Sequence, residues 1–211
     1  MALVGNLRLW TVQELVSSVL LCNRKSIQDK TVRNVCENFQ YLGMGIFVHI
    51  LSGRKVMSRL KDVRVYVERE LSGMEDFGKM MSACSHLYGV SLAATMIAEK
   101  RGEDAELAAM AAMLHDLHAY KSGSYKDHAH KGAELAKSIL EELGLTNEEE
   151  TQIICSAIYH HDDKLIIDSP MDEVLKDADV IHHCMNDLSK EVKEKEQVRY
   201  AALRKEFGID K

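Results

Sequence analysis

The sequence predicts an all-α protein, and three observations carry that prediction. Only one proline occurs in 211 residues. Aromatic residues make up 6% of the chain while Ala, Leu, Met, Glu and Lys recur throughout, and such side chains lose little rotamer freedom in a helix. Apolar residues also return every third or fourth position, the spacing that gathers them on one helical face. At 46% hydrophobic residues the chain suffices for one sizeable core, or for a core with a helical appendage.

Taken in order, Thr11 and Glu14 read as a capping box opening a first helix. Val56, Leu60, Val63, Val67 and Leu71 share one face of another, so residues 1–78 are expected to form a helical N-terminal region and 79–211 a second domain. In the latter, His86, Val90, Ala93 and Ile97 mark a helix ending near Gly102, and Leu107, Ala111, Leu114 and His118 mark the next. Thr146 and Glu149 form a second capping box before Ile154, Ala157, Ile158 and His161. Ser169 as N-cap with Pro170 at the first helical position starts a helix along Val174, Ala178, Ile181, Met185 and Leu188, with Asp179 beside that stripe.

Composition removes several function classes. Five scattered cysteines with no C-x-x-C pair suggest neither a disulfide framework nor a thiolate zinc site, and are expected to be small buried hydrophobes. A net charge of −6 without a basic run argues against duplex nucleic acid or an anionic membrane as partner. The opening MALVGNLRLWTVQEL lacks a basic stretch followed by a long apolar one, and the apolar run Tyr41 to Leu51 is too short to span a bilayer. The expectation is a cytoplasmic protein with a small-molecule partner; the oligomeric state is left open.

Nine of the ten histidines lie between His86 and His183. His49 stands alone in an apolar run and reads as a core residue. By contrast, His86, the His115–Asp116 pair, His161 and Asp179 each sit on or beside an apolar stripe of a different helix. Buried imidazole and carboxylate need partners or a cation, because an isolated buried ion costs several kcal/mol. Nitrogen and carboxylate donors without thiolate suit Fe, Mn, Zn, Co or Mg, one or two ions per chain. A carboxylate has two oxygens with which to bridge two metals.

The order His86, His115-Asp116, Asp179 resembles the H…HD…D motif of the HD superfamily of metal-dependent phosphohydrolases. The stretches SHLYGVSLAATMIAEKRGEDAELAAMAAMLHDL and VLKDADVI are similar to that family's first two helices and its final Asp-bearing helix. The resemblance covers roughly residues 82–188. It implies a helical bundle in which His86, His115, Asp116 and Asp179 hold the first metal, with Asp177 a solvent-facing charge. Further histidines mark a dinuclear subgroup: DHAHKGAELA is similar to its H-x-x-x-G-A segment and selects His128 over His130, while AIYHHDDK offers His160 and His161.

The resemblance further implies phosphate-ester or anhydride hydrolysis of a nucleotide or other small phosphorylated molecule. Asp116 would bridge the metals, and His128 or the His160–His161 pair would assist charge development or the leaving group. Lys121, Lys126 and Lys131 follow the HD pair and Lys164 follows the double histidine; Lys121 is the candidate phosphate contact. His118 is open between donating to a ligand carboxylate and lying exposed, and His182 and His183 read as a wet helix face. The same ligand order also resembles the superfamily's mixed-valent di-iron oxygenases, and a regulatory module is the third reading.

Overall fold

The computed structural model describes residues 58–209, and its helices are α1 (Arg59–Leu71), α2 (Phe77–Arg101), α3 (Ala105–Leu114), α4 (Leu117–Ser122), α5 (His128–Leu143), α6 (Glu148–His160), α7 (Pro170–Met185) and α8 (Glu194–Glu206). No strand occurs among the described residues, in keeping with the all-α expectation. The Thr11–Glu14 capping box and His49 lie outside the described residues.

α3 is the axis of the bundle. Every residue from Leu107 to Leu114 is buried, which for a helix apolar all round means neighbours on all sides; α1, α2, α6 and α7 pack against it. α1 contributes Val63, Tyr66, Val67 and Leu71 to the same core, and Arg59 at its start pairs with Glu106 of α3 at 2.9 Å and Glu150 of α6 at 2.8 Å. α2 starts where Asp76 accepts from the Lys79 amide and stops at Gly102, whose φ of 78° takes the left-handed conformation. By length and composition its 25 residues could cross a membrane; here one face, from Ala83 to Ala98, is buried in the bundle.

One helix start and one helix end differ from expectation. α6 is capped one residue later than predicted, by Asn147 with Glu150 in a reciprocal capping box, while Thr146 bonds Thr151 instead. α7 begins as expected, Ser169 capping Asp172 with Pro170 behind it. It ends at Met185, so Leu188 lies past the helix and is exposed. α5 and α8 complete the bundle beyond the helices drawn from sequence. Cys184 is buried and Cys84 and Cys155 half-buried, all as free thiols.

The largest departure is at the HD pair itself. The stripe from Leu107 to His118 predicts one helix; instead α3 ends at Leu114, His115 closes it, and Asp116 (φ −104°, ψ 4°) opens α4. Adjacent side chains on an unbroken helix diverge by about 100°, so the turn at Asp116 is what lets both point the same way. α5 then approaches this turn closely, because Gly132 presents no side chain: a Cβ there would lie 2.7 Å from the His115 carbonyl oxygen. Gly132→Ala is therefore expected to destabilise the fold by roughly 1–3 kcal/mol through overpacking, read as a lowered midpoint in urea unfolding.

Candidate metal centre

Five elements deliver donors to one place: His86 from the middle of α2, His115 and Asp116 from the α3–α4 break, His128 from the first turn of α5, His161 just past α6, and Asp179 from α7. All are buried except His128, which is partly so. The two oxygens of Asp116 face opposite ways. Oδ2 lies 3.5 Å from His86 Nε2 and 3.7 Å from His115 Nε2, and Asp179 Oδ1 completes this side at 3.4 Å from His86 Nε2 and 3.9 Å from His115 Nε2. Oδ1 lies 3.4 Å from His128 Nε2 and 3.5 Å from His161 Nε2.

The histidines are fixed by their other nitrogens. Nδ1 of His115 lies 2.7 Å from the Ala112 carbonyl, that of His161 2.7 Å from Ile158, and that of His128 2.9 Å from Tyr125. A carbonyl only accepts, so each Nδ1 carries a proton, and in its neutral form each ring turns a bare Nε2 lone pair inward. His128 Nε2 and His161 Nε2 then face each other at 3.2 Å, lone pair against lone pair. Asp116 Oδ1 and Asp179 Oδ1 are buried without a hydrogen-bond donor. Acceptors converging on acceptors is an arrangement that cations satisfy and protein donors here do not, so these residues fit divalent ions on both sides of Asp116.

Charge is set to match. Burial opposes ionisation of Asp116, but the imidazoles of His115, His161 and His86 outweigh it and hold the carboxyl below its usual range. Asp179 is likewise held low against the effect of burial, chiefly by Lys164. The buried Lys164 ammonium lies 2.6 Å from Asp179 Oδ2, leaving Oδ1 for the centre. Burial pushes His115 down to about 3, so it stays neutral and able to donate its lone pair.

Several sequence expectations are redistributed. His160 is not brought to the centre: one residue short of His161 and about 100° round the helix, it places Nδ1 3.1 Å from Asp172 Oδ2 at the start of α7. Lys121 points away as well, forming an ion pair with Glu70 of α1, and neither Lys126 nor Lys131 lines the cleft. Asp177 is not solvent-facing; it is buried between Arg101 at 2.7 Å and Arg199 at 2.8 Å. His130 stays outside, paired with Asp127 at 2.7 Å and stacked on Tyr159. His118 has a buried Nδ1 with no partner among the described residues.

Conversely, His182 and His183 are not on a wet face. His182 Nδ1 lies 3.0 Å from His86 Nδ1, and its ring occupies the space left by Gly89, where a Cβ would come within 2.1 Å of it. His183 Nε2 lies 3.3 Å from Asp179 Oδ1. The signal was present in the i, i+4 spacing of Asp179 and His183, which stacks them on one face. The centre opens into a cleft of about 580 Å³ whose walls include Ser85, Tyr120, Tyr125 and Lys193.

Linkage follows from the His115 shift. Its pKa falls from an unfolded value of 6.5 to about 3, so below the unfolded value the unfolded chain binds a proton the folded chain refuses. Stability should therefore fall as pH drops from about 6.5 toward 3, at about 1.4 kcal/mol per pH unit from this one group. Urea titrations across that window with a chelator present will measure the slope.

A family model described as HD domain matches residues 84–184, the span that carries His86, His115, Asp116, His128, His161 and Asp179. None of the curated proteins matches. A solved structure, described as a predicted HD superfamily hydrolase from an uncultured Thermotogales bacterium, is 22% identical, covering 75% of this chain and 93% of its own with a TM-score of 0.46. Residues 84–184 thus match the HD domain family, and within that span His and Asp donors form clusters that could hold metal ions.

Proposed function

We propose that the protein hydrolyses a phosphate ester or anhydride of a small molecule, with a nucleotide as the favoured class. The observation that carries the reading is Asp116, whose two oxygens face separate donor sets. His86, His115, Asp116 and Asp179 would hold one cation, and Asp116, His128 and His161 a second. Two such divalent ions, when bound, would supply Lewis acidity toward phosphoryl oxygens and a lowered pKa for bound water.

The chain's own groups do the rest. Lys164 fixes Asp179 so that a single oxygen faces inward. Tyr120 lines the cleft beside Asp116, and burial together with the Asp116 charge pushes its hydroxyl pKa up, so it keeps its proton and donates hydrogen bonds to a bound anion. With Lys121 turned to Glu70, Lys190 and Lys193 are the ammonium groups lining the cleft. A cleft of about 580 Å³ accommodates a nucleotide-sized ligand, and the exposed ring of Tyr125 at its wall offers a face on which a base stacks.

A panel of nucleoside mono-, di- and triphosphates and an aryl phosphate, assayed with Mn²⁺, Co²⁺ or Zn²⁺, should yield phosphate or pyrophosphate from at least one member. Asp116→Ala should lower kcat/KM on the order of 10³-fold, several kcal/mol of transition-state stabilisation. Full metal occupancy with silence across the panel, or dioxygen uptake with a polyol or phosphonate, would overturn the reading.

A further inference from the structure

We propose that His183, oriented by Glu196, is an additional ligand of the cation held by His86 and Asp179. The inference rests on the two-cation reading above and adds to it a residue pair from the C-terminal part of the chain. Glu196 belongs to α8, beyond the span of the HD domain match.

His115, His128 and His161 follow a single pattern: Nδ1 is bound to an acceptor, and Nε2 faces an aspartate oxygen of the centre. His183 repeats it. Its Nδ1 lies 3.1 Å from Glu196 Oε1, and its Nε2 lies 3.3 Å from Asp179 Oδ1. That oxygen is one of the two buried centre oxygens with no hydrogen-bond donor, so His183 Nε2 supplies it with none. A carboxylate accepting from Nδ1–H fixes the tautomer, aims the ring and makes the other nitrogen a stronger donor to a metal.

Glu196 is suited to that task because it is almost fully buried, at 1% exposure, on a helix whose other buried residue is Leu203. A buried carboxylate is retained only with partners; here they are His183 and Lys193, the latter at 3.4 Å. The donor atoms of His86, Asp179 and His183 all lie within 4.8 Å of one another, and the two imidazoles stack at 5.3 Å with their planes 19° apart. Since this triad reuses His86 and Asp179, both already facing the first position, it enlarges that site instead of making a separate one.

The test uses the full chain, stripped with a chelator and titrated with Co²⁺ while its d–d absorption is recorded, and with Mn²⁺ by calorimetry. Wild type should take up two equivalents, and Asp116→Ala should lose that binding. His183→Ala should weaken one equivalent by at least about 10-fold and shift the cobalt bands, and Glu196→Ala should weaken the same equivalent by about 10-fold. Combining them should add nothing beyond His183→Ala, since the carboxylate acts through the imidazole. His183→Gln, which keeps bulk and polarity, should show the same loss, and melting of the chelated variants establishes that each folds. A wild-type chain that takes up no cation overturns the two-cation reading and this one with it. Two equivalents lost in Asp116→Ala but unchanged in affinity and spectrum in both His183 variants overturn only the role of His183.

Discussion

The structure depends on one electrostatic constraint: buried lone pairs aimed at each other. Asp116 turns one oxygen toward His86 and His115 and the other toward His128 and His161, and the backbone carbonyls behind His115, His128 and His161 take the Nδ1 protons of those rings. Burying unpaired carboxylate and imidazole is unfavourable by several kcal/mol. The surrounding helices must therefore be stable enough to impose it. The helix that ends at the pair supplies that stability, being apolar and enclosed from Leu107 to Leu114.

Holding the centre in register falls to the far side of α7. Lys164 reaches Asp179, and its own backbone carbonyl is gripped by Arg199 at 3.1 and 3.2 Å. Arg199 also pairs with Glu173 and Asp177, and Asp177 with Arg101. The fully buried Lys176 adds Asp168, Glu173 and the Ile166 carbonyl. Buried ion pairs of this kind contribute little net stability, since desolvation offsets most of the attraction. Their effect is geometric: they fix the turn that carries Lys164, and so the oxygen that Asp179 presents.

Much of this was legible in the chain. Helix content, the starts at Ser169-Pro170 and near Asn147, and the gathering of His86, His115, Asp116, His128, His161 and Asp179 follow from spacing and from the resemblance those residues carry. α5 was also encoded, in Ala129, Ala133, Ala136, Ile139 and Leu140, but small residues give a weak stripe. α8 has Glu196 and Leu203 as its buried residues, so it had no stripe to read.

What the sequence determined by itself was the inventory: all-helical elements, and nitrogen and oxygen donors placed on their apolar sides, because helical periodicity is local and a buried polar residue in an apolar stripe is visible in one dimension. Direction was decided only in three dimensions. Whether His160 or His161 faces inward turns on 100° of rotation at a helix end, whether Lys121 reaches the cleft turns on Glu70 standing nearby on another helix, and His183 joins Asp179 because Glu196 arrives from α8. Each of those outcomes depends on a contact between residues far apart in the chain, and such contacts leave no periodic trace in the sequence.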